Sequence, residues 1–227
     1  MTGIFDSGVG GLASLARLRL LCPRENVIYL ADRKNSPYGK RSAEDIKWIV
    51  RENIDRLTEC GAQRVLIACC TASAVLPLLE KEYRARAVAI IEPSAAVAVR
   101  AAGGGPIGII STEATARMNA FPIAINKISP ETKTLSLHSS ELVRMIEGGC
   151  ADDRISPQCA EEIKRLCDRI KDFGARAVVL GCTHFTHVRE TIERTCGIVS
   201  VSPAFVGAEI IAERIKNEED GDTVYIE

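Results

Sequence analysis

Two stretches of this sequence follow one pattern: Gly61-Ala62-Gln63-Arg64-Val65-Leu66-Ile67-Ala68-Cys69 and Gly174-Ala175-Arg176-Ala177-Val178-Val179-Leu180-Gly181-Cys182. Each begins with Gly-Ala, runs through two spacer residues into an aliphatic segment, and ends on a small residue followed by cysteine. Short, continuous aliphatic segments rich in β-branched residues are typical of strands covered on both faces of a parallel sheet. The pattern therefore predicts two equivalent buried strands, each followed by a cysteine.

A second pair of similar segments occurs in the same order along the chain. Gly3-Ile4-Phe5-Asp6-Ser7 opens the first half, and Gly108-Ile109-Ile110-Ser111-Thr112 opens the second. The offset is 105 residues for this pair and 113 residues for the cysteine pair. Two ordered matches at similar offsets indicate two related lobes. The glycine-rich stretch Ala101–Pro106 is the predicted connection between them.

Helical periodicity between the predicted strands sets the fold class. Ser42 to Cys60 and Pro157 to Phe173 carry aliphatic residues at helical spacing, and Ser156 is the expected N-cap of the second helix. Phe205 to Ile215 also has a helical pattern, and Thr223 to Ile226 is predicted to be a last short strand. Alternating strands and helices predict an α/β fold of two pseudo-symmetric lobes, each a mainly parallel sheet flanked by helices.

Composition excludes several classes of function. The 227-residue chain has a net charge of -1, which gives no basic field for nucleic acid or an anionic membrane. No apolar run reaches the roughly 20 residues of a transmembrane helix, and no signal peptide precedes the first strand, so we expect a cytoplasmic protein. The nine cysteines are an odd number in a long chain without a signal peptide, so we expect reduced thiols rather than a disulfide framework.

The two repeat cysteines predict the kind of site. Ligands of open α/β sheets bind outside the carboxyl ends of the strands, where Cys69 and Cys182 are placed. If the lobes face each other, both thiols approach one cleft from opposite sides. One thiolate could then remove a proton from a carbon acid while the other thiol returns a proton to the opposite face, which inverts the centre. Such a site must lower the thiol pKa and stabilise the developing carbanion.

Polar residues that could support this chemistry are close in sequence. His184 follows Cys182 by two residues, and Thr71 follows Cys69 by two. Asp6 opens the turn Asp6-Ser7-Gly8-Val9-Gly10-Gly11, whose backbone N–H groups suit a carboxylate ligand. The turn matches neither the dinucleotide fingerprint nor the P-loop.

At these residues the sequence resembles the glutamate racemases, within the aspartate/glutamate racemase superfamily. The resemblance covers nearly the whole chain in the family's order, through Phe5-Asp6-Ser7-Gly8-Val9-Gly10-Gly11, Asp32 with Pro37-Tyr38-Gly39, Ala68-Cys69-Cys70-Thr71-Ala72-Ser73, Thr112-Glu113-Ala114-Thr115 and Gly181-Cys182-Thr183-His184. It implies two α/β lobes with the active site between them and with the C-terminal helix returning to the first. The lobes would be residues 1–100 with 205–227, and residues 101–204.

The resemblance also implies roles for individual residues. Cys69 would act on the D-enantiomer with the assistance of Asp6, and Cys182 on the L-enantiomer with the assistance of His184. No cofactor and no metal would be needed. The implied partner is a small amino-acid substrate, the implied role is supply of D-glutamate for peptidoglycan, and a homodimer is expected by analogy. Substrate-binding positions would be Ser7, Asp32, Pro37, Tyr38, Gly39, Cys70, Thr71, Thr112, Thr115, Glu147 and Thr183.

Some positions depart from the family pattern and leave alternatives open. The family usually has asparagine at the position of Cys70, Tyr-Pro-Leu at Phe185–His187, and an Asp-Ser-Gly segment near Val201–Pro203. One alternative is a racemase for aspartate or another amino acid, and another is a non-catalytic relative that binds an amino acid or a partner protein. A third is a metal-binding or thiol-redox protein, because five residues form an N/S zinc site if they are brought together. These are Cys69, Cys70, Cys182, His184 and His187.

Overall fold

The computed structural model describes residues 1–215 and 223–226, and the chain divides into two compact units. The first unit comprises Met1–Ile90 and the described part of Ala204–Glu227, and the second comprises Ile91–Pro203. Residues 216–222 and 227, which the sequence assigned to the first lobe, lie outside the described residues. The predicted strand over Thr223–Ile226 is confirmed, and it pairs with a strand of the first unit.

The first unit is built on a five-stranded parallel sheet in the order β4-β3-β1-β2-β9. Its strands are β1 (Thr2–Asp6), β2 (Val27–Ala31), β3 (Arg64–Ile67), β4 (Ala87–Ala89) and β9 (Thr223–Ile226). Its α-helices are α1 (Leu12–Leu21), α2 (Ala43–Glu59), α3 (Cys70–Ser73), α4 (Lys81–Arg86) and α11 (Pro203–Arg214). Helix α11 begins one residue before this unit resumes at Ala204.

The second unit is built on a four-stranded parallel sheet in the order β6-β5-β7-β8. Its strands are β5 (Ile107–Ser111), β6 (Thr134–His138), β7 (Ala177–Gly181) and β8 (Val199–Val201). Its α-helices are α5 (Ile91–Ala102), α6 (Glu113–Arg117), α7 (Ala120–Ile128), α8 (Ser140–Glu147), α9 (Pro157–Asp172) and α10 (Arg189–Cys196).

The internal repeat of the sequence is a repeat of topology and register. Strands β4-β3-β1-β2 of the first sheet correspond to β8-β7-β5-β6 of the second. Gly3 of β1 pairs with Val65 of β3, and the repeat-related Gly108 of β5 pairs with Val178 of β7. The α/β prediction of two related parallel sheets flanked by helices is therefore confirmed.

Gly3 and Gly108 allow a helix to pack closely on each sheet. A Cβ atom at Gly3 would lie 3.1 Å from Leu57 Cδ1 of α2, and one at Gly108 would lie 3.0 Å from Ile170 Cγ1 of α9. Both helix side chains are fully buried, and burying one such side chain contributes about 1.5–3 kcal/mol. The missing side chain at each strand glycine thus fixes the distance between sheet and helix in both units.

Two of the predicted helices, α2 and α9, begin and end close to the predicted positions. Ser42 caps α2 in a capping box, in which its hydroxyl accepts the Asp45 N–H and the Asp45 carboxylate accepts the Ser42 N–H. Ser156 accepts the Cys159 N–H at the start of α9, and Pro157 occupies the first turn. Local capping chemistry and the apolar stripe therefore define both helices.

The predicted lobe boundary at residues 100 and 101 is wrong, because the structural division falls after Ile90. Helix α5 packs against α7 and against strands β5, β7 and β8, all of which belong to the second unit. The stretch Ala101–Pro106 is the turn between α5 and β5 within that unit. Its Gly103 and Gly104 have φ values of 54° and 84°, a backbone conformation that favours glycine.

Candidate active site

The turn that follows β1 places Asp6 and Ser7 at the carboxyl end of the first sheet. Asp6 is fully buried, and its Oδ1 accepts the Gly8 N–H at 2.9 Å. The Tyr29 hydroxyl of β2 donates to the Gly8 carbonyl oxygen at 2.9 Å, which fixes the same turn from the other side. The turn is therefore held by a carboxylate and a phenol on neighbouring strands.

Cys69 lies next to this turn, two residues beyond the end of β3. Its thiol donates a weak hydrogen bond to Ser7 Oγ at 3.8 Å. The pKa of the Cys69 thiol is raised to about 11, mainly by burial and next by the negative charge of Asp6. The backbone N–H groups of Ala72 and Thr71 and the Ser7 hydroxyl act in the opposite direction and lower the pKa. The resting thiol is therefore protonated at neutral pH. The expectation from the sequence that the site lowers the thiol pKa is wrong for Cys69, because burial and the charge of Asp6 outweigh the hydrogen-bond donors.

This arrangement predicts the pH dependence of Cys69 alkylation. The rate with iodoacetamide should rise with pH until the thiol ionises near 11, whereas a thiol in the denatured chain ionises near about 8.5. Asp6→Asn removes a negative charge that raises the pKa, so the alkylation profile should move to lower pH. Quantitative peptide mass spectrometry of Cys69 measures both profiles. An unchanged profile in Asp6→Asn would contradict the assigned electrostatic effect.

Asp32 and Tyr38 belong to one buried polar network in the first unit. The Tyr38 hydroxyl donates to Asp32 Oδ2, which also accepts Asn53 Nδ2 at 3.1 Å. Asn53 Nδ2 lies 3.1 Å from the Tyr38 hydroxyl oxygen as well, and Asn35 Nδ2 donates to both carboxylate oxygens of Asp32 at 3.0 Å. Burial raises the pKa of Tyr38, and the hydrogen bond to Asp32 raises it further. The phenol thus stays protonated and remains a donor.

The other substrate-binding candidates of the first unit differ in exposure. Pro37 is exposed and Gly39 is half-buried on either side of the buried Tyr38. Cys70 and Thr71 are buried in the first turn after Cys69. The first unit therefore brings Asp6, Ser7, Cys69 and Thr71 together at the ends of β1 and β3, whereas Asp32 and Tyr38 lie in the segment after β2.

Cys182 occupies the equivalent position in the second unit, directly after β7. Its Sγ lies 3.6 Å from His184 Nδ1, and both side chains are buried. Glu147, the last residue of α8, places Oε1 3.4 Å from His184 Nε2, although the geometry falls short of a hydrogen bond. A protonated imidazole would pair with this half-exposed carboxylate. The structure therefore places the imidazole between the thiol and the carboxylate.

Four threonines complete the polar groups near the ends of β5 and β7. Thr112 caps α6, where its hydroxyl accepts the Thr115 N–H and donates to Thr115 Oγ1 at 2.9 Å. Thr183 is buried in the 3-10 turn that follows Cys182. In the same turn Thr186 Oγ1 lies 2.9 Å from Ser202 Oγ, so two positions that depart from the family pattern contact each other.

Sequence reasoning missed two residues that shape this region. Tyr29 lies in the middle of the apolar β2 strand, where nothing in the sequence distinguishes it from a core residue. Asn53 lies on the buried face of α2 among Ile49, Val50 and Ile54, and that position was the available signal. An amide on an otherwise aliphatic helix face requires buried hydrogen-bond partners.

The described residues contain neither a metal-binding cluster nor a membrane-spanning helix. Among residues 1–215 and 223–226, no group of three or more histidine, cysteine, aspartate or glutamate side chains is arranged to hold a metal ion. Within the same described part of the chain, no helix has the length and apolar character that crossing a bilayer requires.

The fold and the site define a class: parallel α/β proteins of two related units, with a cysteine after the same strand in each. A model of the Asp/Glu/Hydantoin racemase family matches residues 12–211. The chain is 34% identical to a glutamate racemase from Desulforudis audaxviator (strain MP104C) over 205 residues. This matched region covers 89% of this chain and 74% of that relative. The chain belongs to the Asp/Glu/Hydantoin racemase family and is therefore an enzyme of the isomerase class.

Solved structures with the same fold include two glutamate racemases. A RacE1 isoform from Bacillus anthracis has a TM-score of 0.90 at 24% identity, covering 99% of this chain and 87% of that chain. The enzyme from Francisella tularensis subsp. tularensis SCHU S4, in complex with D-glutamate, has a TM-score of 0.88 at 24% identity, covering 99% and 86%. At this identity the likeness is evidence for the fold.

Proposed function

We propose that this protein interconverts L-glutamate and D-glutamate without a cofactor, by a two-cysteine acid/base mechanism. One observation carries the proposal: Cys69 and Cys182 follow repeat-related strands, and each has its own ionisable neighbour. Asp6 lies near the first thiol, and His184 contacts the second. The similarity to glutamate racemases supports glutamate as the substrate.

In the proposed reaction the two thiols exchange roles with the direction of turnover. From D-glutamate, the Cys69 thiolate accepts the α-proton, and the Cys182 thiol donates its proton to the opposite face of the carbanion. The product is L-glutamate, with Cys69 protonated and Cys182 ionised, and the reverse reaction restores the starting state. His184 Nδ1, 3.6 Å from Cys182 Sγ, is placed to stabilise that thiolate when the ring is protonated.

The charge next to Cys69 has a chemical use in this mechanism. A thiol whose pKa is raised to about 11 by burial and Asp6 is a stronger base once it is ionised. That base is better matched to a weakly acidic α-proton, although less of it is ionised in the resting protein. The N–H groups of Thr71 and Ala72 and the Ser7 hydroxyl stabilise the thiolate when it forms. Cys69 would thus be a strong base that is generated only in a preorganised site.

We also propose substrate-binding roles for the polar residues around the thiols. The turn after Asp6 and the threonine hydroxyls offer donors to the two carboxylates of glutamate. The protein would work in the cytoplasm as a homodimer and supply D-glutamate for peptidoglycan, as the family resemblance implies. The proposed binding residues are Ser7, Asp32, Pro37, Tyr38, Gly39, Cys70, Thr71, Thr112, Thr115, Glu147 and Thr183.

Incubation with L-glutamate or D-glutamate in D₂O tests the proposed function. We expect each enantiomer to convert to a racemic mixture with deuterium at the α-carbon, in dialysed protein without added cofactor. Chiral chromatography and mass spectrometry measure inversion and exchange. Inversion of aspartate or another amino acid, with glutamate inert, would replace glutamate as the substrate. Binding of glutamate without α-proton exchange would contradict catalysis and favour an amino-acid-binding relative.

A further inference from the structure

We propose that Asn53, on helix α2, is a positioning residue for the proposed reaction. Its amide holds the Asp32 carboxylate and the Tyr38 phenol together, and so fixes the segment 32–41 that includes Tyr38 and Gly39. The inference rests on the proposed function, since these residues are proposed to meet the substrate. Asn53 would join the residues that shape the substrate-binding segment, although the other buried side chains of α2 are aliphatic and pack in the core.

The hydrogen bonds form a closed triangle. Asn53 Nδ2 lies 3.1 Å from Asp32 Oδ2 and 3.1 Å from the Tyr38 hydroxyl oxygen, and the Tyr38 hydroxyl donates to the same Oδ2. An amide has two N–H groups, so one can serve each acceptor. The three side chains are at most 6% exposed, so solvent does not offer an easy replacement for a lost bond.

Burying this amide has a cost that the network offsets. A polar group transferred to an apolar environment is unfavourable unless it is hydrogen-bonded. Asn53 is 5% exposed on the apolar face of α2, next in the stripe to Val50 and Ile54. An aliphatic side chain there would favour the core but leave Asp32 and Tyr38 without a shared donor.

The same network indicates what Asp32 does. Its carboxylate accepts the Asn35 N–H at 3.3 Å, the Asn35 side-chain amide at both oxygens, the Tyr38 hydroxyl and the Asn53 amide. These donors engage both oxygens of the carboxylate, so Asp32 anchors the segment rather than transferring protons. The Arg41 N–H donates to the Tyr38 carbonyl at 3.0 Å and ties the far end of the segment to the same tyrosine.

Asn53→Leu tests this role because leucine has a similar size and no donor. We expect KM to rise about tenfold while kcat changes less than about threefold, since the proton-transfer groups are untouched. Amide hydrogen exchange in residues 33–41, measured without substrate, should accelerate at least about tenfold. Tyr38→Phe should raise KM to a value similar to that of Asn53→Leu. The KM of the double variant should be no higher than that of either single variant.

Ile49→Val is the matched control, because it truncates another buried side chain of the same helix face. It should lower thermal stability without changing KM or the exchange of residues 33–41. Unchanged exchange of this segment in Asn53→Leu would overturn the proposal, as would faster exchange with an unchanged KM. If the wild-type protein racemises no amino acid, the proposed function fails, and the exchange measurement alone decides whether Asn53 anchors the segment.

Discussion

Replacing either Cys69 or Cys182 by serine is expected to reduce racemisation by roughly 10²- to 10⁴-fold, the range of one general acid/base group. A serine hydroxyl is not ionised near neutral pH, so it cannot accept the α-proton, and it is a poor acid for returning one. Because the proposed mechanism needs both thiols for inversion, each single variant should be deficient in both directions. Initial rates by chiral chromatography from each enantiomer measure this loss.

The two variants should still differ in the proton exchange that they retain. With Cys182 intact, Cys69→Ser should exchange the α-proton of L-glutamate in D₂O without inverting it, and Cys182→Ser should do the same with D-glutamate. Cys60→Ser is the control, because Cys60 is exposed at the end of α2 and precedes β3 instead of following it. Equal residual inversion by either variant and wild type would overturn the two-thiol mechanism. Thermal denaturation shows whether a buried serine has changed the fold instead.

The repeat predicted the fold because each of its residue types is required by the packing of a strand or a helix. The aliphatic segments specify buried strands, and the glycine near the start of β1 and of β5 specifies a closely packed helix. Gly61 and Gly174, the first residues of the two repeated segments, have positive φ values just after α2 and α9. That backbone conformation favours glycine at the end of a helix, which explains why both segments begin with it. A pattern fixed by several physical requirements is readable from one sequence.

The lobe boundary and two supporting residues were not predictable in the same way. Helix α5 follows β4 directly in sequence, and only its packing against α7 and β7 assigns it to the second unit. Tyr29 looks like any aromatic residue of a buried strand until its hydroxyl is seen to contact Gly8. Asn53 breaks an aliphatic stripe, yet the stripe does not say which groups the amide meets. These features depend on contacts between residues that are distant in sequence.

The two cysteines have the same place in the topology but different chemical surroundings. Cys69 is near a carboxylate that raises its pKa and near N–H groups that lower it. Cys182 contacts an imidazole that Glu147 approaches from the other side. In the proposed mechanism the duplicated strands supply the symmetry that inversion needs. Side chains that differ between the two halves, such as Asp6 and His184, adjust each thiol separately.

Gly11→Ala is expected to cause a large loss of both stability and activity. The backbone of Gly11 has an ordinary φ of -69°, so alanine is not strained by its conformation. The added Cβ would instead lie 2.6 Å from Asp6 Cβ and 2.8 Å from the Tyr29 hydroxyl oxygen. Overpacking of this kind costs about 1–3 kcal/mol, and the shift it forces moves Asp6 relative to Cys69. Calorimetry should show Tm falling by roughly 2–4 °C for each kcal/mol.

Gly8→Ala is the matched control for stability, because a Cβ at Gly8 meets nothing within 4 Å in the same turn. We expect its unfolding free energy to stay within about 0.5 kcal/mol of wild type. Adding Tyr29→Phe to Gly11→Ala removes one of the two clashes, and should recover part of the lost stability without restoring the position of Asp6. If Gly11→Ala unfolds at the wild-type temperature, the inference that a Cβ at position 11 would clash with Asp6 is wrong. If it is destabilised yet fully active, Asp6 does not need its observed position, and its assistance to Cys69 fails with it.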